Sequence, residues 1–217
     1  PTAFAATDTV VLAVKPQQMR DACLAVKKYL KTQLVISIAA GLRLDALSRW
    51  LGGHDRLVRA MPNTPALISS GVTGLYALPS VSEAERLGAE RVLNAVGSTV
   101  WVNLESQIDA VTAISGSGPA YVFLFIEALQ QAAMELGFTP KQARQLSIET
   151  TLGAARLAAQ SEEPASILRE RVTSKGGTTE AALRAMAECM VKEGIVAGAM
   201  AANARGAELG ELLGKDD

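Results

Sequence analysis

Residues 9–39 read TVVLAVKPQQMRDACLAVKKYLKTQLVISIA. The runs at 9–14 and 34–39 are short, apolar and rich in β-branched residues, as expected of strands buried on both faces. Between them, residues 17–30 set Met19, Cys23, Val26 and Leu30 on one helical stripe. Strand, helix and strand joined in this way imply a right-handed βαβ unit in a parallel sheet. Working outward, the pattern repeats: a helix over 44–51 before Gly52-Gly53, strands over 56–60 and 71–77, a helix over 82–95 and a strand over 98–102. From Glu105 onward the chain is Ala-rich and reads as helical, with segments over 105–114, 121–136, 143–159 and 165–171, one from about Thr179 and one over about 190–213. Gly116-Ser117-Gly118-Pro119 reads as a helix break, since proline lacks the donor a helix interior needs. Gly137 reads as a C-terminal cap, and Thr139-Pro140 as an N-cap with a first-turn proline. The expectation is an α/β domain over 1–104 followed by an all-α domain over 105–217. So few large side chains in the helical half make a thin core, so a second copy is expected to complete it.

Composition narrows the function classes. The 217 residues are 49% apolar and 20% charged with a formal charge of -1, which suits a packed globular chain and leaves no basic stripe for nucleic acid. Cys23 and Cys189 lie far apart without a CxxC spacing, and His54 is the single histidine, so no metal site is expected and a reducing, cytoplasmic setting fits. No uninterrupted apolar run approaches the roughly 20 residues of a spanning helix, so no membrane is expected as a partner. His54 reads as a solvated surface residue, and Trp50 and Trp101 as packing residues.

Four segments carry chemistry. Ala13-Val14-Lys15-Pro16 and Ile38-Ala39-Ala40-Gly41 close the first two strands, at the carboxyl edge where ligands of open α/β sheets bind. Small side chains there let a ring or ribose approach the backbone. Met61-Pro62-Asn63-Thr64-Pro65 closes a third strand and stiffens the same edge. Ordinary strand-to-helix turns have the same pattern. Val172-Thr173-Ser174-Lys175-Gly176-Gly177-Thr178-Thr179 sets two glycines before hydroxyl residues at a helix start, where free amides and hydroxyls suit a carboxylate or phosphate. Plain Ser/Thr capping would look alike, and the order of a P-loop is absent.

With Ile114-Ser115-Gly116-Ser117-Gly118-Pro119-Ala120-Tyr121 added, these segments occur in the order and spacing of pyrroline-5-carboxylate reductases, which the chain resembles over nearly its whole length. The resemblance implies reduction of 1-pyrroline-5-carboxylate to L-proline by hydride from NADPH or NADH, the last step of proline biosynthesis. It implies a Rossmann-like domain whose first βα unit, with its GxGxxG, precedes Pro1, and a helical domain that intertwines into a homodimer, with dimers assembling further into rings of five. By match of motif, Ala13, Val14, Lys15 and Pro16 lie along the cofactor, as do Ile38, Ala39 and Ala40. Ser174, Gly177, Thr178 and Thr179 hold the substrate, Glu105 and Glu162 border its pocket, and the Thr179 hydroxyl lies nearest the imine nitrogen. Arg171 stands where many relatives carry an amide.

Two other readings stay open at this level. One is a two-domain reductase of the β-hydroxyacid dehydrogenase type, which relies on a catalytic lysine, for which Lys175 is the one near the double-glycine loop. The other is a non-catalytic oligomerising fragment.

Overall fold

The computed structural model describes residue 4 and residues 6–215. Five strands form one sheet in the order β1 (Thr9–Leu12), β2 (Leu34–Ser37), β3 (Leu57–Met61), β4 (Gly71–Ala77) and β5 (Gly97–Trp101). Strands β1, β2 and β3 run parallel, as do β4 and β5, but β3 and β4 pair antiparallel with Arg59 opposite Tyr76. The all-parallel expectation fails at that one step for a geometric reason. Residues 62–70 are fewer than the dozen or so that a parallel crossover needs, so the chain can only turn back. Helices α1 (Met19–Val26), α2 (Leu44–Trp50) and α3 (Glu83–Asn94) make the other connections.

Alternation along β2 and β3 divides the core between two faces. Val35 and Leu57 pack with Met19, Cys23, Leu44 and Leu47 of α1 and α2. Leu34, Ile36, Val58 and Ala60 pack with Ala89 and Leu93 of α3. Burial pushes the Cys23 thiol up to about 11, so it serves as a small hydrophobe. Trp50 is buried in the same core, as its sequence reading expected.

The helical half comprises α4 (Gln107–Val111), α5 (Gly118–Glu135), α6 (Pro140–Gln160), α7 (Ala165–Arg171), α8 (Thr178–Glu188) and α9 (Val191–Leu213). Local signals set its ends. Gly137 adopts φ +94 and closes α5, with the Phe138 amide donating to Ala133 and the Gly137 amide to Met134. Thr139 and Gln142 form a reciprocal capping box at the start of α6. The expected break at Gly116–Pro119 is absent. A π turn over Thr112–Gly116, closed by the Ser117 amide on the Thr112 carbonyl (2.8 Å), takes up the irregularity and α5 follows directly. Among the described residues, the merged helix Gln107–Glu135 is therefore long and apolar enough to cross a membrane by length and composition. The uninterrupted-run criterion passed over it because Gly, Ser and Thr are interspersed.

Contacts divide the chain into two compact units, residues 1–119 with 199–217, and residues 120–198. This differs from a boundary at Leu104, because α4 packs on β3 and β4 and the end of α9 packs near the α2 side of the sheet, with Leu213 against its core. Within the second unit Phe123, Leu124, Leu157, Ile195 and Val196 are all more than half exposed. A unit that leaves such side chains uncovered is built to bury them against another surface.

Candidate functional site

Because β1, β2 and β3 are parallel, the segments that follow them leave the sheet at one edge. Strand β1 ends at Leu12, two residues earlier than expected, because its pairing with β2 stops where Leu12 lies opposite Ser37, and Lys15 is extended ahead of Pro16 (φ -60, ψ 144). Ala13, Val14 and Lys15 are exposed there. The Ile38 amide donates to the Leu12 carbonyl (3.2 Å), which sets the second segment beside the first. Ile38 is half-buried and Ala40 exposed, whereas Ala39 is buried among the core residues of α1 and α2. The Ala39 methyl group therefore serves packing. In the third segment Asn63 accepts from the Val72 amide (2.9 Å) and donates to the Ser115 carbonyl (3.3 Å), pinning the loop to the π turn. His54 sits at the opposite edge, half-buried rather than fully solvated, with Nε2 2.9 Å from the Gln33 carbonyl.

Glu105, for which the resemblance implies a place at the border of the substrate pocket, makes its bonds within the first unit. Its Oε1 accepts the Leu44 amide (2.7 Å) at the first turn of α2 and lies 3.5 Å from the Arg59 guanidinium. Arg59, 1% exposed on β3, also donates to Asp109 of α4 at 2.7 Å. Sequence reading missed Arg59 and Asp109. The available signal was an arginine inside an apolar strand, which requires a buried carboxylate as partner. Burial raises the Glu105 carboxyl above its ordinary 4.5, against the opposing pull of the Leu44 amide and Arg59. A raised folded value means that this group's contribution to stability is fully present below 4.5 and is lost as pH rises through the folded value.

In the second unit, Arg171 at the end of α7 makes a bidentate pair with Glu163 (2.5 and 2.6 Å), which answers why an arginine stands there. This pair holds the Glu162–Glu163 turn against α7. The Glu162 carboxylate is exposed and has no partner among the described residues. The loop then turns through Gly176 at φ +73 into α8. Both glycine amides are engaged, Gly176 with the Glu180 carboxylate (2.7 Å) and Gly177 with the Ser174 carbonyl (3.0 Å). The double glycine therefore offers no free amide of its own. The free donors are one step on. The amides of Thr178, Thr179 and Glu180, in the first turn of α8, have no partner among the described residues, as expected of a helix start whose Gly177 cap brings no side chain.

Gly177 is required by space. A Cβ there would lie 2.4 Å from the Ser174 Oγ and 3.0 Å from its carbonyl oxygen. Gly177→Ala is expected to drive the Ser174 hydroxyl out of the loop and, for the imine substrate that the resemblance implies, to raise KM by about tenfold, the scale of one charge-assisted hydrogen bond. Steady-state kinetics beside an unchanged circular dichroism spectrum would check this.

Comparison with known proteins bears on the whole chain. Residues 105–209 match the family model described as pyrroline-5-carboxylate reductase dimerisation, and residues 1–41 match that of the NADP oxidoreductase, coenzyme F420-dependent. A pyrroline-5-carboxylate reductase of Pseudomonas aeruginosa is 48% identical over 98% of this chain and 78% of its own length. The chain belongs to the pyrroline-5-carboxylate reductase family. Solved structures of that family agree. One from Coxiella burnetii superposes with a TM-score of 0.89 at 45% identity, covering 93% of this chain and 76% of its own. Another, from Plasmodium falciparum with NADP bound, gives 0.86 at 30% identity over 94% and 77%. The α/β unit followed by a helical dimerisation segment is thus the architecture of pyrroline-5-carboxylate reductases, and the β-hydroxyacid dehydrogenase reading falls away.

Proposed function

We propose that this chain reduces 1-pyrroline-5-carboxylate to L-proline. NAD(P)H supplies the hydride. The carboxyl edge of β1, β2 and β3 suits such a cofactor, since Ala13, Val14, Lys15 and Ala40 stand exposed there and small residues allow close approach. Ala13 to Pro16 and Ile38 to Ala40 are the residues to hold it, with Ala39 contributing through its backbone.

The observation that carries the substrate assignment is the unpartnered first turn of α8. Three backbone amides without partners lie there beside the Thr178 and Thr179 side chains, at a helix start that favours an anion, and a small carboxylate would satisfy them. Ser174 and Gly177 shape the loop, and Glu162 is the uncommitted carboxylate available to stabilise the iminium form. The Thr179 hydroxyl donates to the lone pair that the ring nitrogen carries in the neutral imine and in the product amine, water restoring its proton, and the chain otherwise orients and desolvates the imine. Glu105 uses Oε1 on Leu44 and Arg59, and in this reading it holds the loop rather than the substrate.

The uncovered apolar side chains of the second unit fit a homodimer that buries them, which also accounts for the long apolar helix without a bilayer. Five such dimers in a ring, in the cytoplasm, complete the reading. The test is a direct assay of NAD(P)H oxidation and proline formation on adding the imine. 1-Pyrroline, which lacks the carboxylate, is expected to lose at least about tenfold in kcat/KM, the worth of a hydrogen-bonded charge. Equal rates for the two imines would remove the α8 amides from the carboxylate.

A further inference from the structure

The β2–α2 loop, which in the functional reading above lies along the cofactor, is held at both ends. At its start, the Ile38 amide is bonded to Leu12 and the Ala39 amide lies 3.4 Å from the Ser37 hydroxyl. At its end, α2 begins at Leu44 after Arg43, whose side chain makes no cap hydrogen bond. The cap comes instead from Glu105, 61 residues later in the chain, through the 2.7 Å bond to the Leu44 amide. Glu105 is in turn steadied by Arg59, and Arg59 by Asp109. The acceptor at this helix start is thus not the neighbouring residue but a carboxylate from a distant part of the chain, so the bond joins the loop to that part as well as ending the helix.

We infer that Glu105 is a positioning residue for the cofactor: by accepting the Leu44 amide it fixes the far end of the Ile38–Arg43 loop and ties that loop to β3 and to the first helix of the dimerisation segment. It touches neither cofactor nor substrate. The inference rests on the assignment of Ile38 to Ala40 to the cofactor edge.

Three variants of the full-length protein test it. Glu105→Ala removes the acceptor and is expected to raise the KM for NAD(P)H by about tenfold while kcat and the imine KM stay within about twofold. Glu105→Gln keeps an oxygen for the Leu44 amide and is expected to restore the cofactor KM to near the parent value. Should the alanine variant fold poorly, Glu105→Asp keeps the charge beside Arg59 but withdraws the oxygen by one methylene, and is expected to show the same rise. A lowered unfolding midpoint with an unchanged cofactor KM in both the Ala and Asp variants overturns the inference, as does a glutamine variant no better than alanine. Failure of the functional reading looks different, because the unmodified protein would then not oxidise NAD(P)H in the presence of the imine.

Discussion

Arg59→Ala is expected to be the most destabilising single substitution considered for the first unit, lowering stability by about 3–5 kcal/mol, the usual cost of removing one member of a buried ion pair. The guanidinium is almost sealed from solvent and faces two carboxylates, Asp109 at 2.7 Å and Glu105 at 3.5 Å, with side chains 6% and 22% exposed. Truncation deletes the arginine's packing and leaves two negative charges in a poorly solvated place. Against a total of about 5–15 kcal/mol for a typical domain, such a loss is decisive. Thermal unfolding at fixed protein concentration should show a midpoint lower by roughly 6–20 °C. Added salt should not rescue it, since buried pairs are weakly screened. Arg59→Lys should fall between, because one ammonium cannot span both carboxylates as a planar fork does. A midpoint within a degree or two of the parent protein would mean that water, not Arg59, balances Asp109 and Glu105.

What was legible from sequence and what was not follows the range of the interactions. The βαβ start, the α3 helix, the Thr139 N-cap with its first-turn proline and the Gly137 cap were readable because each depends on residues within one or two turns of chain. The antiparallel step at β4 was readable in principle from the shortness of 62–70, but the two strands themselves look alike in either direction. Fusion of 105–114 with the next helix was not legible, because a π turn and a true break both call for Gly, Ser and Pro. The Arg59, Asp109 and Glu105 network depends on partners 46 and 50 residues apart, and no local pattern couples them. For the same reason Glu105 could be placed near a pocket by motif but given its work only by geometry. The double-glycine loop shows the reverse case. Its sequence correctly marked a helix start with spare donors, yet the glycine amides were engaged by Ser174 and Glu180, and the spare ones proved to belong to Thr178, Thr179 and Glu180.

Thr179→Ala is expected to lower kcat by at least roughly a hundredfold, the scale at which a positioned proton donor contributes to a reaction, while cofactor affinity stays within about twofold. As hydride adds to the C=N carbon, electron density collects on the ring nitrogen, and that nitrogen must end protonated. Of the groups around the start of α8, the amides of the first turn suit an acceptor that is negative throughout, the carboxylate, and so bind ground state and transition state alike. The Thr179 hydroxyl can donate to an atom whose basicity grows during the reaction, and that difference appears in kcat. Its half-buried position and the absence of a partner among the described residues leave it free to do so. Thr179→Ser should retain most of the rate, because the donor survives and only a methyl group is lost, whereas Thr178→Ala should act mainly on the imine KM. Raising acidity should rescue the alanine variant in part by supplying the iminium form from solution, so its kcat should climb as pH falls where the parent protein's does not. An alanine variant with unchanged kcat would move proton delivery to Glu162 or to water, and the same pH series on Glu162→Gln would then tell those two apart.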